Sequence, residues 1–248
     1  MSTLILALTA GAVVGLALGA LGGGGSVLAV PALIYLLGFT PVAATTGSLV
    51  IVAATSATAL VAHARDGNVR WRTGLLFAAA GIVPAVLGGA VAGHLPDAVL
   101  TAAFAVIAAV AAVRMLRPRP GSDLGRTVRP GRAATAGAGL GAVTGVLGVG
   151  GGFLAVPALV GVLGLRMRTA VGTSLLVITV NSLAALVMRA GTADGLDWAA
   201  IAPFAGAAIL GAWDGKRLAA KLSGHALQRI FALVLLAVAA FMLIDAAV

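Results

Sequence analysis

Two glycine clusters, Gly22-Gly23-Gly24-Gly25 and Gly148-Val149-Gly150-Gly151-Gly152, are where this chain is best equipped for chemistry. Consecutive glycines break or sharply turn a helix and leave backbone amides free. A short apolar run follows each cluster, so each break turns a half-helix N-terminus, with its partial positive charge, into the protein. Two such ends meeting in the interior can hold an anion without a fixed counter-charge. The expected contacts are Gly22, Gly24, Gly25 and Ser26 in the first cluster, and Gly148, Gly150, Gly151 and Gly152 in the second. Pro31 and Pro157 stand further along the short runs, where a missing N–H leaves a carbonyl free or kinks the helix.

Hydroxyls and one amide extend this set. Ser48 and Thr55 are seven residues apart, two helical turns, and Ser174 and Asn181 repeat the spacing. Thr46 and Thr173 lie beside the same faces. Such neutral groups can replace part of the hydration shell of an oxyanion. They can equally be spent on hydrogen bonds within or between helices, and the glycines on close helix packing. Both uses are open for the clusters and the hydroxyls. For Gly11, Gly15 and Gly19, and for Gly137, Gly141 and Gly145, the four-residue spacing points to packing.

Other chemistry is sparse. There is no cysteine and no glutamate, so thiol catalysis, disulfides and thiolate metal sites are excluded. No hydrolase elbow or zinc-protease motif occurs, and no buried base is expected beside Ser48 or Ser174, so an enzyme is disfavoured. No cofactor or metal site is expected. His63 and His94 fall at loop boundaries, where an imidazole is ordinarily solvated, and Asp214 lies beside Lys216 and Arg217 as an interfacial ion pair. No carboxylate suited to proton coupling stands inside an apolar run.

These residues must be positioned by membrane helices. Of 248 residues, 61% are hydrophobic and 9% charged, with mean hydropathy +1.14; a soluble domain carries about 25% charge. The net charge of +9 resides between apolar runs, which excludes nucleic acid as the reason for it. Apolar runs fall near 3–21, 26–38, 42–62, 74–93, 97–116, 133–148, 152–164, 169–188, 198–213 and 225–245. The first lacks a preceding basic residue and shares its glycine pattern with a later run, so it is expected as a retained helix, not a signal peptide. The runs 26–38 and 152–164 are short for a crossing.

Written at an offset of 126, the chain repeats: from Ala10 to Leu49, 20 of 40 positions are identical to Ala136 to Leu175, enough to make the halves homologous. Near the end the offset becomes 127, pairing Phe104 with Phe231. Residues 1–116 form the first repeat, 117–132 an Arg-rich linker and 133–248 the second. Six arginines against one aspartate between Arg114 and Arg132 place that linker in the cytoplasm. Counting crossings from it puts the loops at Arg65 to Arg72, Arg166 to Arg168 and Lys216 to Lys221 inside, and Asp194 and Asp197 outside. The expected fold is an all-α polytopic membrane protein, an inverted repeat of two homologous halves with eight to ten transmembrane or re-entrant helices and both termini extracytoplasmic. Trp71, Trp198 and Trp213 are expected as interfacial anchors.

The run Gly148-Val-Gly-Gly-Gly-Phe-Leu-Ala-Val-Pro-Ala-Leu159, followed by Ala170-Val-Gly-Thr-Ser-Leu175, resembles the TauE/SafE sulfite exporter family of membrane permeases. The motif occurs twice, as in that family; in the first half Ser26 replaces Gly152, and Thr45-Thr46-Gly47-Ser48 replaces Val171-Gly172-Thr173-Ser174. The resemblance implies export of sulfite or a related sulfur-containing or organosulfonate anion across a bacterial cytoplasmic membrane. The implied partners are a small anion and the bilayer, with a homo-oligomer open. A passive anion channel, or a non-transporting subunit of a membrane complex, would share the repeat.

Overall fold

The computed structural model describes residues 2–92, 96–116, 129–146, 152–188 and 196–245, and among these there are helices and connections but no strand. The helices are α1 (Ser2–Leu21), α2 (Gly24–Pro31), α3 (Pro41–Arg65), α4 (Trp71–Ala92), α5 (Asp97–Leu116), α6 (Pro130–Val146), α7 (Gly152–Gly161), α8 (Met167–Met188), α9 (Trp198–Ala220) and α10 (Gly224–Asp245). Local chemistry sets several starts. Thr40 caps α3 by accepting from Ala43 N–H at 3.3 Å, with Pro41 at the first helical position. Asp197 caps α9 through Ala199 N–H at 3.0 Å, and Ser223 caps α10 through Ala226 N–H at 3.1 Å.

Each apolar run became one helix, with two informative extensions. The ninth run does not stop at Trp213: α9 continues through Asp214, Lys216 and Arg217 to Ala220, because charged residues at a helix end can reach water. Helix α6 begins at Pro130, three residues before the expected start of the second repeat. Among the described residues, five helices (α1, α3, α4, α8 and α10) contain stretches long and apolar enough to cross a membrane. Exposed Leu4, Ile5, Val83, Leu87, Val187 and Leu210 give the bundle an apolar exterior, as a polytopic membrane protein requires.

Glycine determines the packing. A methyl group at Gly11, Gly15 or Gly19 of α1 would lie 2.4, 1.9 or 2.0 Å from the carbonyl oxygens of Phe204, Ala208 and Ala212 of α9. Gly211 and Gly215 of α9 return the contact onto Ala12 and Leu16. The same arrangement recurs in α6 and α4, where Gly137, Gly141 and Gly145 press on the carbonyls of Phe77, Gly81 and Ala85. Both pairs run parallel, since the contact numbers rise together. The first helix of each half therefore lies along the fourth helix of the other, and neither half is a separate body.

Long-range hydrogen bonds gather the basic segments at one end of the bundle. Lys216 Nζ donates to the Ala62 carbonyl at 2.7 Å and meets Asp66 Oδ2 at 2.8 Å, joining the end of α9 to the end of α3. Arg168 donates to the Ala220 and Leu222 carbonyls at 3.0 Å, joining the start of α8 to the α9–α10 turn. Arg132 donates to the Val162 carbonyl at 3.1 Å, and Gln228 to the Met115 carbonyl. Hairpin α6–α7 thus begins and finishes at the basic end. Hairpin α1–α2 begins and finishes at the other, because α1 runs parallel to α9 and α2 leads into the start of α3.

The short segments end alike. Phe39 N–H reaches back to the Leu33 carbonyl and Leu165 N–H to the Leu159 carbonyl, both at 3.0 Å, with Gly38 and Gly164 at φ +71° and +70°. This is a helix C-terminus closed by a left-handed glycine. They differ at proline: after Pro31 the helix widens over Ala32–Leu36, whereas α7 continues through Pro157 in regular α-helical form.

If glycine contact holds the bundle, Gly141→Leu, which aims a side chain at the Gly81 carbonyl, destabilises the detergent-solubilised protein by about 2 kcal/mol or more. Gly139→Leu on the same helix, with nothing within 4 Å, leaves the melting temperature unchanged. Equal melting temperatures for both variants would remove the basis for this packing argument.

Candidate functional site

Helix α1 ends in the first glycine cluster. Gly22 N–H donates to the Leu18 carbonyl at 2.8 Å, and Gly22 takes φ +73°, which closes the helix in a conformation that a side chain resists. The chain then reverses into α2. Gly22 is buried against α8 and α7, where a methyl would sit 2.4 Å from Ser174 Oγ and 3.3 Å from Val156 Cγ2. Gly23 meets the first residue of α7, with a methyl 2.1 Å from the Gly152 carbonyl oxygen. The break of the first half is thus pressed onto the short helix of the second, with Ser174 alongside. Gly25 instead faces its own hairpin, against Val14 and Leu18.

The hydroxyls are buried and largely committed within their helices. Thr46 donates to the Val42 carbonyl at 3.1 Å, Ser48 to Thr45 at 2.8 Å, Thr55 to Ile51 at 2.6 Å and Ser174 to Val171 at 2.8 Å. In this arrangement each of these hydroxyls offers lone pairs, and must rotate before it can donate to an anion. Thr173 accepts Arg70 N–H at 3.1 Å, and Gly172 lies against the Asn68 carbonyl, so the α3–α4 turn reaches onto α8 beside Ser174. Two turns along α8, Asn181 Oδ1 is buried without a hydrogen-bond partner. Pro157 is buried within α7, and Pro31 is half-buried where α2 widens. Gly24 and Ser26 open α2 in the backbone; the side chain of Ser26, and all of Gly148, Gly150 and Gly151, lie outside the described residues.

Gly22, Gly23, Gly152 and Ser174 therefore form one junction, while Ser48, Thr46 and Asn181 stand elsewhere on α3 and α8. The junction is made of neutral dipoles.

Two features were not anticipated. Thr179 Oγ1 lies 2.9 Å from Ser56 Oγ, a polar contact crossing from α8 to α3. His63 is not a solvated loop residue: it is 5% exposed, with Nε2 3.2 Å from the Gly19 carbonyl oxygen. It is covered because α3 runs on to Arg65 and the last turn of α1 lies alongside. The sequence signal was its spacing, seven residues after Ser56. His94 lies outside the described residues, and Asp214 pairs with Arg217 at 3.4 Å on the exposed surface. Trp71, Trp198 and Trp213 are half-exposed, Trp71 and Trp198 opening α4 and α9 and Trp213 standing near the basic end.

Comparison with known proteins covers the same span as this architecture. Residues 7–242 match the family described as Sulfite exporter TauE/SafE. Two relatives from Xylella fastidiosa, strain 9a5c and strain Temecula1 / ATCC 700964, each bear the name probable membrane transporter protein. Each is 36% identical over 249 residues, covering 97% of this chain and 95% of the relative. A doubled glycine-proline motif, a helical membrane bundle and a match over nearly the whole length have one explanation: the chain belongs to the sulfite exporter TauE/SafE family of membrane transporters.

Proposed function

We propose that this protein is a carrier that moves a small anion, sulfite or a related sulfur-containing or organosulfonate anion, out of a bacterial cell through the junction of the two halves. The observation that supports this reading is the meeting of the breaks, Gly22 on Ser174 and Gly23 on Gly152. Transporter sites are commonly built where interrupted helices of two repeats meet, and the ends of such helices bind ions without a permanent charge. A neutral site also suits export. The inside-negative potential favours anion efflux by up to about 2.3 kcal/mol per charge per 100 mV, so no coupled ion is required.

In the bilayer the basic end faces the cytoplasm, following the rule that Lys and Arg are retained inside. The two hairpins then enter from opposite faces, and repeats 1–116 and 133–248, joined by the linker 117–132, are inverted. Both chain ends come to the outer face. A carrier is favoured over an enzyme because the proton of Ser174 goes to the Val171 carbonyl and, among the described residues, no base is hydrogen-bonded to it.

Orientation is readily tested because the chain has no cysteine. In intact cells a membrane-impermeant maleimide is expected to label Pro96→Cys, and to label Gly131→Cys only after permeabilisation. The opposite pattern would invert the assignment.

Transport is tested by sulfite flux in proteoliposomes under an imposed potential, with sulfate, sulfoacetate and chloride as competitors. Saturable, potential-driven sulfite flux with counterflow is expected, falling at least tenfold in Gly23→Leu and in Gly150→Leu while membrane insertion persists. Flux without counterflow would indicate a channel. Full activity in a well-inserted Gly23→Leu would dismiss the glycine junction, and no flux of any anion under either polarity would dismiss the anion reading.

A further inference from the structure

His63 is an ionisable residue buried inside a membrane bundle, and such residues are seldom kept without use. Its two ring nitrogens are treated unequally. Nε2 faces the Gly19 carbonyl oxygen at 3.2 Å, whereas Nδ1 is buried with no hydrogen-bond partner. The neutral ring fits this arrangement: Nε2–H donates to Gly19, and Nδ1 keeps its lone pair. A proton on Nδ1 would be a donor with no acceptor, and would set a second positive charge near Lys216.

The charged surroundings are few. Lys216 of α9 donates to the carbonyl of Ala62, the residue before His63, and pairs at 2.8 Å with Asp66 of the α3–α4 turn. Helices α1 and α2 carry no ionisable side chain, and the only one on α8, Arg168, is engaged at the α9–α10 turn. His63 and Lys216 together tie three helices at the basic end: α3 to α1 through Gly19, and α3 to α9 through Ala62. The Gly19 contact stands three residues before Gly22.

This cluster does not obey the repeat. At the corresponding positions His63 matches Arg189, Asp66 matches Thr192 and Lys216 matches Gly89, while Gly19 matches Gly145. Among the described residues, the glycine packing is duplicated in both halves and the titratable junction occurs once. It therefore distinguishes the basic end from the other.

We infer that His63 is a proton-binding site that controls opening of the basic end. With the end closed, the ring is neutral and holds α1 against α3. When the end opens and water enters, the Nδ1 lone pair takes a proton from hydronium, leaving water and an imidazolium; closing returns a proton to water on the same side. No net proton is carried, and acid on the basic side favours the open end. In the carrier reading this sets how readily the site is loaded, but the proton site itself does not depend on the identity of the anion.

The test needs no substrate. Ala20→Cys, in the last turn of α1, is labelled with a water-soluble maleimide in the purified full-length protein, and its rate is divided by that of exposed Gly131→Cys to cancel thiol ionisation. From pH 8 to pH 6 the ratio is expected to rise several-fold with His63 present and to stay flat in His63→Gln, whose amide can still donate to Gly19. A flat ratio with His63, or an equal rise without it, overturns the inference. Should His63→Gln fail to insert, two further variants decide. Lys216→Gln removes a like charge and moves the midpoint to higher pH, whereas Asp66→Asn moves it lower; shifts that are absent or in the same direction overturn the inference. Absence of sulfite flux, by contrast, bears only on the substrate.

Discussion

A glycine hydrogen aimed at a carbonyl oxygen is the contact on which the rest of this bundle depends. In lipid there is no hydrophobic gain from helix association, because the tails are as apolar as leucine, and association rests on close approach. Glycines of α1 meet Phe204, Ala208 and Ala212, and those of α6 meet Phe77, Gly81 and Ala85, at distances that no side chain would permit. Each such contact is weak, roughly 0.5–1 kcal/mol where it acts as a Cα–H to oxygen bond. Five of them along α1 and α9 make a tightly gripped pair. Two gripped pairs, each joining one half to the other, form the frame that holds the short helices α2 and α7.

That frame explains why the glycine breaks can exist. A helix interrupted within a membrane exposes amides and carbonyls that lipid cannot satisfy, and it survives only where protein covers it. Here Gly22 is covered by Ser174 and Val156, and Gly23 by Gly152. Spaced glycines and clustered glycines thus have different work: the first bring whole helices together, and the second turn the chain inside the space those helices enclose. The proposed anion path uses the second only because the first hold it closed to lipid.

Much of this was legible in the residues. Apolar run lengths located ten helices, because in a membrane the cost of burying polar groups leaves few other places for breaks. The 126-residue offset foretold that Gly137, Gly141 and Gly145 would pack as Gly11, Gly15 and Gly19 do. Pairing across helices was not legible: nothing in the spacing joins Gly22 to Ser174 or Ser56 to Thr179, since such contacts depend on how α8 lies against its neighbours. The commitment of hydroxyl protons to backbone carbonyls also depends on rotamers. His63 was misjudged because its distance from Arg65 suggested water, whereas its exposure is decided by the last turn of α1, a helix 44 positions away in the contact it makes. The difference between Pro31 and Pro157 lies beyond sequence too, because an equal loss of one N–H is absorbed by a widened turn in one helix and not in the other.

The inverted repeat proposed above poses a problem for a directional carrier, because two equal halves treat the two sides of a membrane alike. The packing here is nearly equal and the chemistry is not. Among the described residues, the long-range contacts of lysine and arginine gather at one end, and the buried imidazole with its Lys216–Asp66 neighbours lies at that end. Between the ends, the groups at the meeting of the breaks are neutral. In the carrier proposed above, a neutral centre holds the anion by dipoles and lets it go, while charge at the rim responds to the solution on one side. Separating these tasks avoids the large cost of a fixed charge at mid-bilayer. In that proposal, asymmetry is confined to positions at the ends of α3 and α9, so that the glycine frame stays duplicated while the response to the solution is set at one end.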